Sequence, residues 1–182
     1  MVLILLFWGG NFAILNKVNG MEIGKDRKAF YSYGAEWERT FFDERTGGFI
    51  VTELQRKYRP MSKNDITTYL KEQRMALKYA SFGFQIEHRY ERPGYSSPDA
   101  FIRRHGRGAY IVNGQLADFK STKSANNIVK YGEYAVKKQG AQLVLFEFTA
   151  HAKGITNGLK TLSQKGTHGY YYFDDELMYY SF

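Results

Sequence analysis

Residues 114–121 read GQLADFKS, and this stretch decides the fold. From Ala117 to Lys120 apolar and polar side chains alternate, the pattern of a strand with one face packed and one face polar. Asp118 and Lys120 therefore project together, while Ala117 and Phe119 pack on the other side. Upstream stands Pro98-Asp99, with two strand candidates around it, Phe84–His88 and a segment near Ala100–Arg103. Turn signals at Arg107-Gly108 and Asn113-Gly114 leave the third strand either at Tyr110–Val112 or at Leu116–Lys120.

Helices bracket these strands. Ser62 caps a helix over Lys63–Ser81, with Ile66, Tyr69, Leu70, Ala76, Leu77 and Ala80 as its apolar stripe and Gly83 as its stop. Lys71, Arg74 and Lys78 fall on the opposite side of the wheel, and Glu72 sits at the edge of the stripe beside Ala76 and Tyr79. Ser124 begins a second helix that ends at Gln139 before Gly140, with Ile128, Tyr131, Ala135 and Gln139 turned inward. Residues 142–148, QLVLFEF, form a central strand covered on both faces. A short helix over Ile155, Leu159 and Leu162 and a hairpin around Asp174-Asp175 follow. The expected fold is α/β, one domain with a mixed central sheet flanked by helices, its core order helix, three strands, helix, strand. Residues 62–182 hold that core, and 21–61 are an extension in which Phe30, Tyr33, Trp37 and Phe41 recur at helical spacing from Asp26 to Arg45. Within the extension Phe49–Leu54 reads as a strand and Gln55–Pro60 as a basic loop.

Composition narrows the chemistry. The 182 residues contain no cysteine, which excludes disulfides, thiolate metal sites and a cysteine nucleophile. The formal net charge is +8, and 17% of residues are aromatic, a balance suited to polyanions. Residues 1–8 are continuously apolar, but Gly9 and Gly10 interrupt them, short of the roughly 18 residues a membrane span needs. The first lysine follows the apolar run, the reverse of a secretory signal. Residues 1–20 therefore read as a buried strand or as a stretch upstream of a start at Met21, and no membrane role is expected.

Asp99 and Asp118 are hard oxygen donors of the kind Mg²⁺ takes, and Lys120 can offset charge on a phosphorane-like transition state. Phosphodiester hydrolysis is the expected reaction. From Pro98 to Gly140 there are eight lysines and arginines against three acids, Asp99, Asp118 and Glu133. Of these cations Arg103, Arg104, Arg107 and Lys123 are the expected phosphate contacts, while Lys130 and Lys137 sit on the outer face of their helix. His88, His105, His151 and His168 show no metal spacing, and the tyrosines of the last strands fit alternating burial as well as base stacking.

A proline-aspartate, a gap, then acid-any-lysine resembles the motif of the PD-(D/E)xK nucleases, whose core order is the one read above. In that pattern Glu72 takes the place of a third acidic residue on the first core helix. A closer resemblance runs from about residue 70 to 173, through EQRMALKYASFGFQIEH, SPDAFI, GQLADFKS, NNIVKYGEYAVKKQGAQLVLFEF and GYYYF. These segments are similar to the C-terminal nuclease toxin domain of CdiA-type contact-dependent growth-inhibition proteins. The resemblance implies a toxin-like ribonuclease acting on tRNA in the cytoplasm, with Asp99, Asp118 and Lys120 near its centre and an acidic immunity protein as partner. The insert RRHGRGAYIVNG is longer than in that family. A metal-free route through the RNA 2′-hydroxyl, drawing on Lys120, Ser121, Thr122 and Lys123, stays open beside the Mg²⁺ route. So do a Mg²⁺-dependent DNA endonuclease and a non-catalytic module that binds nucleic acid or a partner.

Overall fold

The computed structural model describes residues 20–90, 96–105, 111–149 and 154–181. The expected apolar start, Arg107, the Arg107-Gly108 turn and His151 lie outside these residues. Eight strands form a single sheet whose spatial order follows the chain. They are β1 (Trp37–Phe42), β2 (Phe49–Glu53), β3 (Phe84–His88), β4 (Ala100–Arg104), β5 (Val112–Thr122), β6 (Leu143–Phe148), β7 (Gly169–Phe173) and β8 (Glu176–Tyr180). The pairs β2–β3, β5–β6 and β6–β7 are parallel and the other four antiparallel, so the sheet is mixed as expected. Each parallel pair has a helical crossover. Those crossovers are α2 (Leu54–Lys57) with α3 (Lys63–Ser81), then α4 (Asn126–Gln139), then α5 (Ile155–Gln164), and α1 (Gly20–Tyr31) precedes them all.

The two faces are covered differently. Met75, Ala76, Tyr79 and Ala80 of α3 pack on Ile50, Ile86, Ile102, Phe119, Leu145 and Tyr172. On the opposite face Ile128 and Ala135 of α4 and Leu159 and Leu162 of α5 pack on Val144, Phe146 and Phe148. Phe30 of α1 meets Phe49 and Val51 at the far side of that second face. Tyr79 ties the first layer to the sheet, its hydroxyl donating to the carbonyls of Phe146 (2.8 Å) and Tyr170 (3.0 Å).

Several expectations are corrected. The helix expected over 26–45 stops at Tyr31, and Trp37–Phe42 is a strand paired with β2. The aromatic spacing is real, because Phe30, Tyr33 and Trp37 do share one cluster, but a turn rather than a continuous helix brings them together. The expected basic loop over 55–60 opens with α2, a single turn whose Arg56 is wholly buried. The third core strand contains the Leu116–Lys120 candidate and is longer than expected, one strand of 11 residues. Ile102 pairs Gln115 and Arg103 pairs Asn113, so Gly114 (φ +87°) is the extra residue of a bulge rather than the corner of a hairpin. In α3 the stripe is shifted. Ile66, Leu70 and Leu77 are exposed, and Met75 and Tyr79 are buried instead. No residue of 63–71 is buried, so only the second half of the helix lies on the sheet. Its start is as expected, with Ser62 and Asp65 closing a capping box. The second cap moves one residue, to Ala125, while the Ser124 hydroxyl accepts from the Asn126 amide.

Candidate active site

Strand β5 runs past the start of β4, and the acidic residues gather at that step. Ala100 pairs Ala117, which leaves Asp99 just outside the β4 ladder and Asp118 just beyond on β5. Asp99 accepts a hydrogen bond from the Phe119 amide through Oδ2 (2.7 Å). This bond, from a backbone donor that β4 leaves free, fixes one carboxylate against the strand that carries the other. Asp118 faces α4, where Gln139 Nε2 donates to its Oδ1 (3.2 Å) and the Lys120 ammonium pairs with its Oδ2. Lys120 also donates to Gln139 Oε1 (3.1 Å), so one amide at the end of α4 holds both members of the strand pair. The same Gln139 donates to the Ser97 carbonyl (3.3 Å), tying α4 to the approach of Asp99.

Asp99 and Asp118 are buried, and Lys120 keeps about a fifth of its side chain in solvent. Burial first, then the negative charges of Asp118 and Glu72, raise the Asp99 pKa well above its ordinary value, with Lys120 opposing the shift. The nearness of the Asp118 carboxyl thus favours the protonated form of Asp99 over that of an isolated aspartate. Lys120 is the solvent-facing member of this centre.

Glu72 does turn inward, where α3 comes onto the sheet, and is taken up by Arg56 Nη2 at 2.5 Å. Arg56 Nη1 donates to the carbonyls of Arg89 (2.8 Å) and Asp99 (3.4 Å). Glu72 therefore reaches Asp99 through its charge and through Arg56. His88 lies fully buried beside Phe119, ring centroids 5.7 Å apart. Burial, and then the Arg56 charge, push its pKa down to about 3, which keeps the ring neutral.

Among the described residues no group of three His, Cys, Asp or Glu side chains is arranged to hold a metal ion. Asp99 and Asp118 still supply two hard carboxylates, the number Mg²⁺ commonly takes from a protein alongside water, and a dication would relieve their repulsion. In donor chemistry this pair fits Mg²⁺.

The expected phosphate contacts separate. Arg104 is corrected from a surface cation to a buried one, its Nε donating to the Phe82 carbonyl (3.0 Å) and its guanidinium over the Phe84 ring. Alternation explains this, because Arg104 shares the α3 side of β4 with Ala100 and Ile102. Arg103 turns to the other face and stays partly exposed, and Lys123 is exposed at the end of β5. Sequence reasoning missed Arg56, hidden in a stretch that reads as a basic loop, and the holding role of Gln139. The signal for the latter was its inward position on α4, where an amide at the end of an apolar stripe needs polar partners.

No protein-family model matches the chain, and no curated protein matches it. Among solved structures, the CdiA-CT/CdiI toxin and immunity complex from Burkholderia pseudomallei is similar at 19% identity, with a TM-score of 0.48, covering 68% of this chain and 92% of that one.

Proposed function

We propose that this domain is a toxin-like ribonuclease that breaks phosphodiester bonds of RNA, with tRNA as its substrate. The observation that carries the reading is the buried pair Asp99 and Asp118, pressed together by the sheet with Lys120 as its solvent-facing member. Such an arrangement works against stability, and groups held in this way are characteristic of reaction centres. Lys120 stabilises the charge that builds on the phosphoryl oxygens, Asp118 and Gln139 fix its ammonium, and the proton held with Asp99 is available to a leaving oxygen. When Mg²⁺ takes part, it supplies charge neutralisation and an acidified water, and Asp99 and Asp118 are the residues that would hold it. The choice of tRNA, a cytoplasmic site of action and an acidic immunity partner for the basic chain rest on the sequence resemblance to CdiA-type toxin domains.

A Mg²⁺-dependent DNA endonuclease is the second reading. It is favoured by the succession α3, β3, β4, β5, α4, β6 together with the acid-any-lysine triplet on β5.

The test is a gel assay of the purified protein against total tRNA and duplex DNA, with Mg²⁺ or with EDTA, beside Lys120→Ala. Cleavage of tRNA that disappears in Lys120→Ala is expected, and its response to EDTA separates the metal route from the 2′-hydroxyl route. Cleavage of DNA alone, abolished by EDTA, selects the second reading. No cleavage of either substrate overturns both.

A further inference from the structure

Among the described residues, the face of the sheet that carries Asp118 is not covered evenly. Helix α1 lies over its β1–β2 side and α4 with α5 over its β6–β8 side, and β4 runs between them. On this strip Phe101 and Arg103 of β4 and Asn113 and Leu116 of β5 are all at least partly exposed. The guanidinium carbons of Arg89 and Arg103 stand over the Phe101 ring, 4.8 and 4.7 Å from its centroid. Both are tied to Glu87, which is buried, by Arg89 Nη2 to Oε2 (2.9 Å) and Arg103 Nη1 to Oε1 (2.6 Å). The Tyr33 hydroxyl of the turn after α1 donates to the same Oε1 (2.7 Å). Hydrogen bonds from Arg89, Tyr33 and Arg103 offset the effect of burial and keep the Glu87 carboxyl below its ordinary pKa.

This is a constructed group. One buried carboxylate orients two guanidiniums on one ring, and two positive charges against one leave a surplus. Arg89 and Arg103 keep 49% and 41% of their side chains exposed, so each fork has donors left for a ligand. Bulge residue Gly114 makes room for the ring, because a Cβ there would stand 2.6 Å from Phe101. The group also adjoins the acidic centre. Arg56 bonds the carbonyls of both Arg89 and Asp99, and Asp99, Phe101 and Arg103 follow one another on the same side of β4 at about 7 Å per two residues. That step is of the order of the spacing between successive phosphates of a nucleic-acid strand.

We infer that the open strip of β4, with Arg89 and Arg103 over Phe101 and anchored to Glu87, is the track that holds single-stranded nucleic acid leading into the Asp99–Asp118–Lys120 centre. Guanidinium forks take backbone phosphates, and the neighbouring apolar surface of Phe101 and Leu116 suits an unstacked base, which a duplex does not present. The inference rests on the nuclease reading for its direction and can be tested apart from it.

The measurement is fluorescence anisotropy of a labelled single-stranded 2′-O-methyl oligonucleotide in EDTA, conditions that block both cleavage routes. Arg89→Gln with Arg103→Gln is compared with Lys71→Gln with Lys160→Gln, an equal charge change on exposed helix surfaces elsewhere. The arginine variant is expected to bind at least about tenfold more weakly, with a salt dependence shallower by about 1.4 in log–log slope for two lost phosphate contacts. Arg89→Lys with Arg103→Lys, which keeps both charges, is expected to keep the slope and still bind several-fold more weakly, because an ammonium neither forks nor stacks. Equal binding by the arginine and lysine glutamine variants overturns the inference while leaving cleavage by the wild type intact. Arginine-dependent binding by a protein that cleaves nothing upholds the track and overturns the nuclease reading. Loss of binding to polyglutamate, with no binding to the oligonucleotide, also overturns the track, in favour of an acidic protein partner.

Discussion

Two buried carboxylate clusters occupy opposite faces of this sheet, and they are built on different principles. On the α3 face Glu147 accepts from Arg74 Nε (3.1 Å) and Nη2, from the Ser121 hydroxyl (2.8 Å) and from the Tyr172 hydroxyl (2.9 Å). Each oxygen meets a cation and a neutral donor, as a carboxylate taken out of water requires. On the α4 face Asp99 and Asp118 meet each other, and a single lysine stands against them. Ser121 and Lys120 are adjacent on β5 and serve the two clusters in turn, one from each face. The comparison teaches that burial of a carboxylate is not itself a sign of chemistry. What marks the second cluster is like charge held together while a cleaner pairing was available one residue away.

The largest effect should fall on activity. Lys120→Ala and Asp118→Asn are expected to lower tRNA cleavage per folded molecule by about 10² to 10⁴-fold, the range for loss of a charge-stabilising or proton-handling group. Glu147→Ala should do the reverse. It leaves two hydroxyls and a guanidinium without their acceptor, and a stability loss of about 2–4 kcal/mol is expected in urea unfolding, with cleavage per folded molecule unchanged. Comparable loss of activity in both variants would erase the distinction between the clusters.

Asp99→Asn sharpens it through pH. The folded-state pKa of Asp99 lies above the unfolded value, so the favourable protonated form is fully present below about pH 4 and is lost as pH rises towards the folded pKa. Asparagine mimics the protonated acid at all pH values, keeping an oxygen for the Phe119 amide and an N–H for Asp118. Wild type and variant should therefore unfold alike at acid pH, with the variant gaining on the wild type by up to about 1.4 kcal/mol per pH unit above it. Thermal melts in EDTA across pH 4–8 read this directly. The smallest effect is expected for Tyr172→Phe, which removes one of the donors to Glu147 and should cost about 1 kcal/mol with cleavage unaltered.

Much of this architecture was legible because its signals are local. The Ser62 capping box, Gly83 and Gly140 at helix ends and the apolar run of β6 each act through near neighbours in the chain. The pairing of Asp118 with Lys120 followed from strand alternation alone. What escaped depends on partners distant in sequence. Trp37–Phe42 carries helical spacing and becomes a strand because β2 offers it a free edge. Ile66 and Leu70 have the right spacing for a core, but the sheet does not extend beneath them. Arg56 reads as a surface cation, and only the fold reveals that Glu72 and the carbonyls of Arg89 and Asp99 converge on it. Arg104 differs from Arg103 by one position and so by one face of a strand whose register the sequence does not announce.

The most direct test of the central claim joins activity and stability in one variant. Cleavage of tRNA by Asp99→Asn would be measured beside its melting temperature at pH 7 in EDTA, both against the wild type. A protein that is inactive and at least as stable is predicted, since the proposed function assigns the reaction to the carboxylate that the fold holds at a disadvantage. A variant that cleaves as well as the wild type, or one that is markedly less stable, would show Asp99 to be a structural carboxylate like Glu147 and would contradict the account.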